Sequence, residues 1–106
     1  MILHKTNKYL RDCKKLKRKN RKELLINIEK IENVLIYHDN FYGVVNSPFY
    51  KIYNFEQLVG NREGYYSARI GGAERIIFKP VGEKPYNHIE IEEIILEEIS
   101  VKHYKK

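Results

Sequence analysis

Apolar residues in the first forty positions recur with the period of amphipathic helices. Ile2 and Leu3 predict a short first strand, and a helix is expected to begin after Thr6 or Asn7, either of which can cap it. Residues 20–23 read as a capping signal that begins a second helix. The first helix has apolar positions at Tyr9, Leu10, Cys13 and Leu16; the second has Leu24, Ile28, Ile31 and Leu35, broadened by Leu25 and Val34. The pattern predicts a helical hairpin with one apolar face.

The second half of the chain changes to the period of strands. Residues 38–55 mix aromatic residues with Asn, Gly43 and Pro48, and we expect a loop or irregular connection there. Two β-prone runs, residues 65–70 and 74–79, flank the sequence Gly71-Gly72-Ala73, which predicts a hairpin. Residues 80–87 are expected to form a loop.

Residues 93–103 alternate in the manner of a strand that is covered on both sides. Ile95, Ile99 and Val101 are expected on one face, and Ile94 and Leu96 on the other. A short helix over residues 89–96 is also compatible with this sequence and stays open as an alternative. The sum is an α+β fold, with an N-terminal helical hairpin packed on a small, mainly antiparallel twisted sheet. At 106 residues we expect one domain, residues 1–106.

The net charge of +6 is unevenly distributed. Residues 5–22 hold ten of the twenty Lys and Arg residues and a single acid, Asp12, whereas residues 83–98 hold six Glu. Such a basic face attracts a polyanion, although an acidic protein partner or a merely solvated helix fits the charge equally well. The composition, with 42% hydrophobic residues, one cysteine and no long apolar run, predicts a soluble cytoplasmic protein that does not enter a membrane.

Familiar catalytic motifs are absent from the sequence, and four scattered histidines argue against a metal site. Acid–base chemistry by side chains, or no chemistry, therefore remains. Cleavage of RNA without a metal needs a base, a cation at the phosphate and an acid for the leaving group. Glu56, Arg75 and the tail of residues 102–106 offer all three types. Taken singly, each of these residues is more simply explained as structural.

Three segments together resemble the RelE/ParE toxin superfamily, nearest to its HigB and YoeB branch. They are Leu-Val-Gly-Asn-Arg-Glu-Gly-Tyr-Tyr-Ser-Ala-Arg-Ile at residues 58–70, Glu-Arg-Ile-Ile-Phe at 74–78, and Ile-Ser-Val-Lys-His-Tyr at 99–104. The motifs cover roughly the last half of the chain; the first half agrees in the order of its elements.

The resemblance implies a RelE-like fold and a cofactor-free mRNA endonuclease that acts in the ribosome and is silenced by a cognate antitoxin. Arg75 matches the arginine that clamps the phosphate, and Glu56 matches the general base. His103 and Tyr104 match the terminal pair that supplies the general acid, with His103 preferred. The implied RNA contacts are Lys14, Lys15, Lys17, Arg18, Arg62, Arg69 and Lys102, with Lys51 as a further candidate.

Two other functions fit the same fold. One is a ParE-like toxin that inhibits DNA gyrase by binding protein, without nuclease chemistry. The other is an inactive homologue that binds nucleic acid through its basic helix alone. The joint presence of a Glu, an Arg and a His-Tyr pair favours the nuclease, because a protein that only binds has no need for that set.

Overall fold

The computed structural model describes residues 1–101, which form four helices, one 3₁₀ turn and a single five-stranded sheet. The strands are β1 (Ile2–Lys5), β2 (Glu56–Gln57), β3 (Tyr66–Arg69), β4 (Arg75–Pro80) and β5 (Glu93–Ser100). The helices are α1 (Asn7–Arg18), α2 (Lys22–Tyr37), α3 (Phe41–Val45) and α4 (Pro48–Ile52), and the 3₁₀ turn is Gly60–Arg62. No helix in residues 1–101 has the length and apolarity needed to cross a membrane.

The helical hairpin predicted from the sequence is confirmed. The Thr6 side chain caps α1 by accepting a hydrogen bond of 3.0 Å from the backbone N–H of Tyr9. All four residues of the predicted α2 stripe are buried, whereas Leu10 of the α1 pattern is 46% exposed and lies outside the core. The predicted capping signal at residues 20–23 is wrong, because Arg21 occupies the cap position of α2 and no side chain caps that helix.

Residues 38–55 are more regular than expected. They form the two short helices α3 and α4 in place of an irregular loop. The Asn40 side chain caps α3 by accepting from the N–H of Gly43 at 3.1 Å, and Phe41 and Val44 are fully buried. Helices of five residues have too few positions to show a periodic apolar pattern, which explains why the sequence did not reveal them.

The sheet has the order β1-β5-β4-β3-β2 and is mainly antiparallel, as predicted, with one parallel pair between β1 and β5. The expected hairpin is β3 and β4, and the alternative helix over residues 89–96 is wrong because β5 begins at Glu93. A register irregularity opposite Ile77 and Phe78 inserts one extra residue into β5. Ile99 therefore joins the buried core with Ile94 and Leu96, not the face of Ile95 that strict alternation predicts.

The core lies between the helices and one face of the sheet. Its sheet side is built by alternate residues of the central strands, and its helix side by the stripes of α1 and α2. The sheet contributes Tyr66, Ala68, Ile76, Phe78, Ile94, Leu96 and Ile99 to this core. The residues between them project from the opposite face, which is called the open face below.

Candidate functional site

Two rows of side chains cross the open face from strand to strand. Strand pairing places Glu56 opposite Ser67, Ser67 opposite Ile77, and Ile77 opposite Glu98. In the neighbouring row, Arg69 pairs with Arg75 and Arg75 pairs with Ser100. Directly opposed residues of antiparallel strands project to the same face, so the predicted Glu56, Arg69 and Arg75 share one face, with Arg69 directly beside Arg75 and Glu56 two strands from Arg75.

Arg75 is buried at 6% exposure although it lies on the open face. Its Nη1 atom has no hydrogen-bond partner among the described residues, and the same holds for the hydroxyl of the fully buried Ser67. Leaving a buried donor unpaired costs about 1–3 kcal/mol, and more for a charged group. A cationic donor held unpaired at the centre of a sheet face is suited to receive an anion.

Arg62 reaches over the open face from the 3₁₀ turn. Its guanidinium forms an ion pair with Glu98 and lies 5.0 Å from the centre of the Tyr65 ring. The ammonium of Lys79 lies 5.6 Å from the same ring. The sequence predicted Arg62, but Tyr65, Lys79 and Glu98 were missed. Alternation along β4 places Lys79 on the face of Arg75 and is the signal that identifies it.

Glu56 is half-buried on the edge strand β2, on the open face, where it is paired with Ser67. The phenol of Tyr50 lies within electrostatic range of it: burial raises the pKa of Tyr50, and the Glu56 carboxylate raises it further. Glu56 thus lies between the aromatic side of α4 and the polar row of the sheet. A carboxylate in this position can accept a proton from a group bound on the open face.

Helix α1 borders the opposite side of the open face. Where β1 ends, the edge of β5 forms hydrogen bonds with α1 and its cap residue. The Thr6 hydroxyl donates to the Glu97 carbonyl at 2.7 Å, and the Ile99 N–H donates to the Asp12 carboxylate at 2.9 Å. Lys8 of α1 lies 3.9 Å from Glu98, which belongs to the polar row. A groove of about 270 Å³ between α1 and β5 is lined by Lys8, Lys15 and Lys19 among others.

The remaining predicted contacts divide into two groups. Lys14, Lys15, Lys17 and Arg18 are exposed on α1, and Lys51 is exposed on α4. Lys102, His103 and Tyr104 lie outside the described residues. Within residues 1–101, no three His, Cys, Asp or Glu side chains come together in a way that could hold a metal ion.

Comparison with known proteins identifies the fold. No protein-family model and no curated protein matches the sequence. Among solved structures, a YoeB/ParE toxin from Agrobacterium tumefaciens superposes with a TM-score of 0.66 at 19% identity, over 98% of this chain and all of that one. YafQ from Escherichia coli gives 0.64 at 15% identity, over 92% and 89% of the two chains. YoeB in the YoeB–YefM toxin–antitoxin complex of Staphylococcus aureus gives 0.61 at 18%, over 98% of each.

The chain therefore has the RelE-like fold. The architecture is that of the YoeB and YafQ toxins across nearly the whole length of each chain. The fold implied by the motifs in residues 58–104 is confirmed, and the agreement extends to the first half, where the sequence offered only an order of elements.

Proposed function

We propose that this chain is the toxin of a toxin–antitoxin pair and that it cleaves mRNA without a metal. The proposal is supported by the fold, which it shares with YoeB and YafQ, and by the chemistry of the open face. The observation that carries it is the Nη1 atom of Arg75, buried and unpartnered among the described residues, on the same face of the sheet as Glu56, which lies two strands away on β2.

The reaction needs only groups of the chain and the RNA. Glu56 takes the proton of the 2′-hydroxyl, and the 2′-oxygen attacks the adjacent phosphorus. Arg75 stabilises the charge that gathers on the phosphate oxygens, and its buried position makes that interaction strong. As the bond to the 5′-oxygen breaks, His103 donates a proton to that oxygen. A cyclic 2′,3′-phosphate and a free 5′-hydroxyl are the products.

The basic surface of α1 extends the site toward a larger polyanion. Lys14, Lys15, Lys17 and Arg18 are exposed on α1, and Lys15 lines the groove between α1 and β5. We assign the four residues to contacts with ribosomal RNA during cleavage of mRNA on the ribosome in the cytoplasm. Arg62, Arg69 and Lys102 are assigned to the mRNA itself. The antitoxin covers the open face or wraps the basic helical hairpin, and the segment that binds a cationic surface is expected to be acidic.

Mapping of mRNA ends tests the proposal. The wild-type chain, Arg75→Ala and His103→Ala are induced in cells at matched protein levels. Lys30→Ala serves as the control. Lys30 is an exposed cation on α2, and α2 packs against the other face of the sheet. We expect new ends in the wild type and in the control. Cleavage by Arg75→Ala should fall by about 100- to 1000-fold, as for loss of a donor to a developing oxyanion. Circular dichroism checks that each variant is folded.

The outcomes separate the alternatives. Intact mRNA under growth arrest by the wild type contradicts the nuclease and favours binding to gyrase. Arrest that survives Arg75→Ala but is lost when the lysines of α1 are replaced favours a protein that binds nucleic acid without cutting it. Repeating the assay with purified chain and mRNA, with and without ribosomes, shows whether the ribosome is required.

A further inference from the structure

Arg62 and Glu98 form an ion pair over the open face, between the 3₁₀ turn and β5. Both side chains are partly exposed, so water and dissolved ions reach the pair. The proposed function assigns Arg62 to the mRNA, yet in the free protein a carboxylate already binds its guanidinium. A phosphate that approaches Arg62 therefore competes with Glu98 for one cation.

The Glu98 carboxylate is also close to the phosphate expected at Arg75. Strand pairing sets Glu98 opposite Ile77, and Arg75, two residues earlier on β4, is opposite Ser100. Glu98 and Arg75 are therefore diagonal neighbours on adjacent strands, a relation that separates two residues by about 7–8 Å. A carboxylate at this distance repels a phosphate bound by Arg75, and the repulsion grows if Glu98 loses its own cation.

A second cation stays with Glu98 when Arg62 leaves it. The ammonium of Lys8 on α1 lies 3.9 Å from the Glu98 carboxylate. Lys8 is exposed and also pairs with Asp12 at 3.2 Å, so its flexible side chain can shift from one carboxylate toward the other. Glu98 is therefore not left as an uncompensated charge, which is the costly result of breaking a partly buried ion pair.

Arg62 has a further contact that does not depend on Glu98. Its guanidinium lies 5.0 Å from the centre of the Tyr65 ring, and this cation–π contact keeps the arginine over the open face. The guanidinium carries several N–H donors in a planar fork. It can remain on the ring while its edge turns from a carboxylate to a phosphate, so the exchange needs no change of the backbone.

We propose that Glu98 is a positioning residue that holds Arg62 in the free protein and releases it to a backbone phosphate of the RNA strand. Lys8 then takes over the Glu98 carboxylate. The inference rests on the proposed function for RNA as the source of the phosphate. An isolated anion gains too little from Arg62 to displace Glu98, whereas a strand already bound at Arg75 presents a neighbouring phosphate at high local concentration.

Binding of a strand that cannot be cleaved tests the exchange. A fluorescent 2′-O-methyl oligonucleotide has no attacking hydroxyl, and its affinity for the full chain is measured by fluorescence anisotropy. Glu98→Gln keeps the shape of the side chain, but its neutral hydrogen bond with Arg62 is roughly half as strong as the charge-assisted one. We expect the strand to bind Glu98→Gln about 5- to 20-fold more tightly than the wild type.

Two comparisons separate the release of Arg62 from the mere loss of a negative charge. Glu93→Gln removes the same charge from the same strand and face, where Glu93 is paired with His4, and should tighten binding by about threefold or less. Arg62→Ala should weaken binding. Adding Glu98→Gln to Arg62→Ala should then restore less than about threefold, because the cation that Glu98 holds is absent.

The salt dependence of binding is a readout that a structural role of Glu98 would not change. For single strands the logarithm of the binding constant falls with the logarithm of the salt concentration, by about 0.7 for each phosphate neutralised. In the wild type the released Glu98 attracts a cation and cancels part of this term. The slope of Glu98→Gln should therefore be steeper than that of the wild type, by up to about 0.7.

Unchanged or weaker binding to a folded Glu98→Gln overturns the proposal and makes the ion pair with Arg62 structural. Equal gains for Glu98→Gln and Glu93→Gln also overturn it, since total charge then explains both. A strand that binds neither the wild type nor Glu98→Gln has the same consequence. Tighter binding as described, with mRNA intact in the mapping experiment, preserves the exchange and contradicts the nuclease. Circular dichroism checks that each variant is folded.

Discussion

The two faces of the central strands are buried for different reasons. On the helix side, Ile76, Phe78 and Leu96 have no exposed surface and pack against apolar neighbours. On the open face, Arg75 and Ser67 are almost as deeply buried, yet each has a polar atom without a partner among the described residues. The same strands therefore supply a satisfied apolar face and an unsatisfied polar one.

The difference separates stability from function along a single strand. Ile76 and Phe78 stabilise the fold through apolar burial, whereas Arg75, which projects to the other face of β4, holds a charge whose burial costs stability. Such local destabilisation persists where a ligand later satisfies the group. The contrast leads to opposite expectations for neighbouring residues of β4, and these can be tested in order of the size of the effect.

The largest loss of stability is expected on the helix side. Phe78→Ala removes a fully buried ring that contacts Phe41, Phe55 and Tyr66, and should lower the free energy of unfolding by about 3–5 kcal/mol. Phe49→Ala is the matched control: Phe49 is 40% exposed, so the loss should stay below about 1 kcal/mol. Urea denaturation followed by circular dichroism gives both values. Equal losses would contradict the placement of the core.

The opposite sign is expected on the open face. Arg75→Met replaces the guanidinium with an apolar chain of similar length, so the unpaired donor is removed while the volume is kept. The free energy of unfolding should remain unchanged or rise, on the order of 1 kcal/mol, and cleavage of mRNA should be lost. The same urea experiment measures the first effect. A decrease of more than about 2 kcal/mol would make Arg75 a structural residue and weaken its assignment to the phosphate.

How far the sequence predicted the fold depended on the length of each element. The stripe of α2 spans twelve residues and has four apolar positions, so its period was unambiguous, and Gly71-Gly72 marked the hairpin between β3 and β4. The short helices α3 and α4 and the two-residue β2 carry no period that can be recognised. The extra residue in β5 moved Ile99 into the core, and alternation alone does not reveal such an insertion.

The candidate site was predicted from the sequence only in part. Arg75 and Glu56 were identified through motif resemblance, and strand pairing then put them on one face. Glu98 was missed because its pairing with Arg62 joins residues that are 36 positions apart in the sequence. The cleft of about 560 Å³ that is lined by Gln57, Tyr86 and His88 was also missed. It depends on the path of the loop between β4 and β5, which no local sequence pattern specifies.

The smallest predicted effect concerns the hydroxyl of Tyr66, a residue of β3 that is buried on the helix side of the sheet. Burial, with smaller contributions from Tyr50 and Tyr86, raises the pKa of Tyr66 to about 12, whereas an unfolded tyrosine titrates near pH 10. Below about pH 10 both states hold the proton. Between about pH 10 and 12 only the unfolded state releases it, so the free energy of unfolding must fall as the pH rises.

Tyr66→Phe should remove that part of the pH dependence. In urea denaturation at about pH 9, 10 and 11, the wild type should lose stability more steeply than the variant. The difference should stay below about 1.4 kcal/mol per pH unit, because a single proton is released. Tyr9, whose pKa is also raised by burial, titrates in both proteins and cancels in the difference. Tyr37→Phe should retain the wild-type slope, since Tyr37 is 83% exposed. Parallel curves for the wild type and Tyr66→Phe would contradict the burial of the Tyr66 hydroxyl in the folded protein.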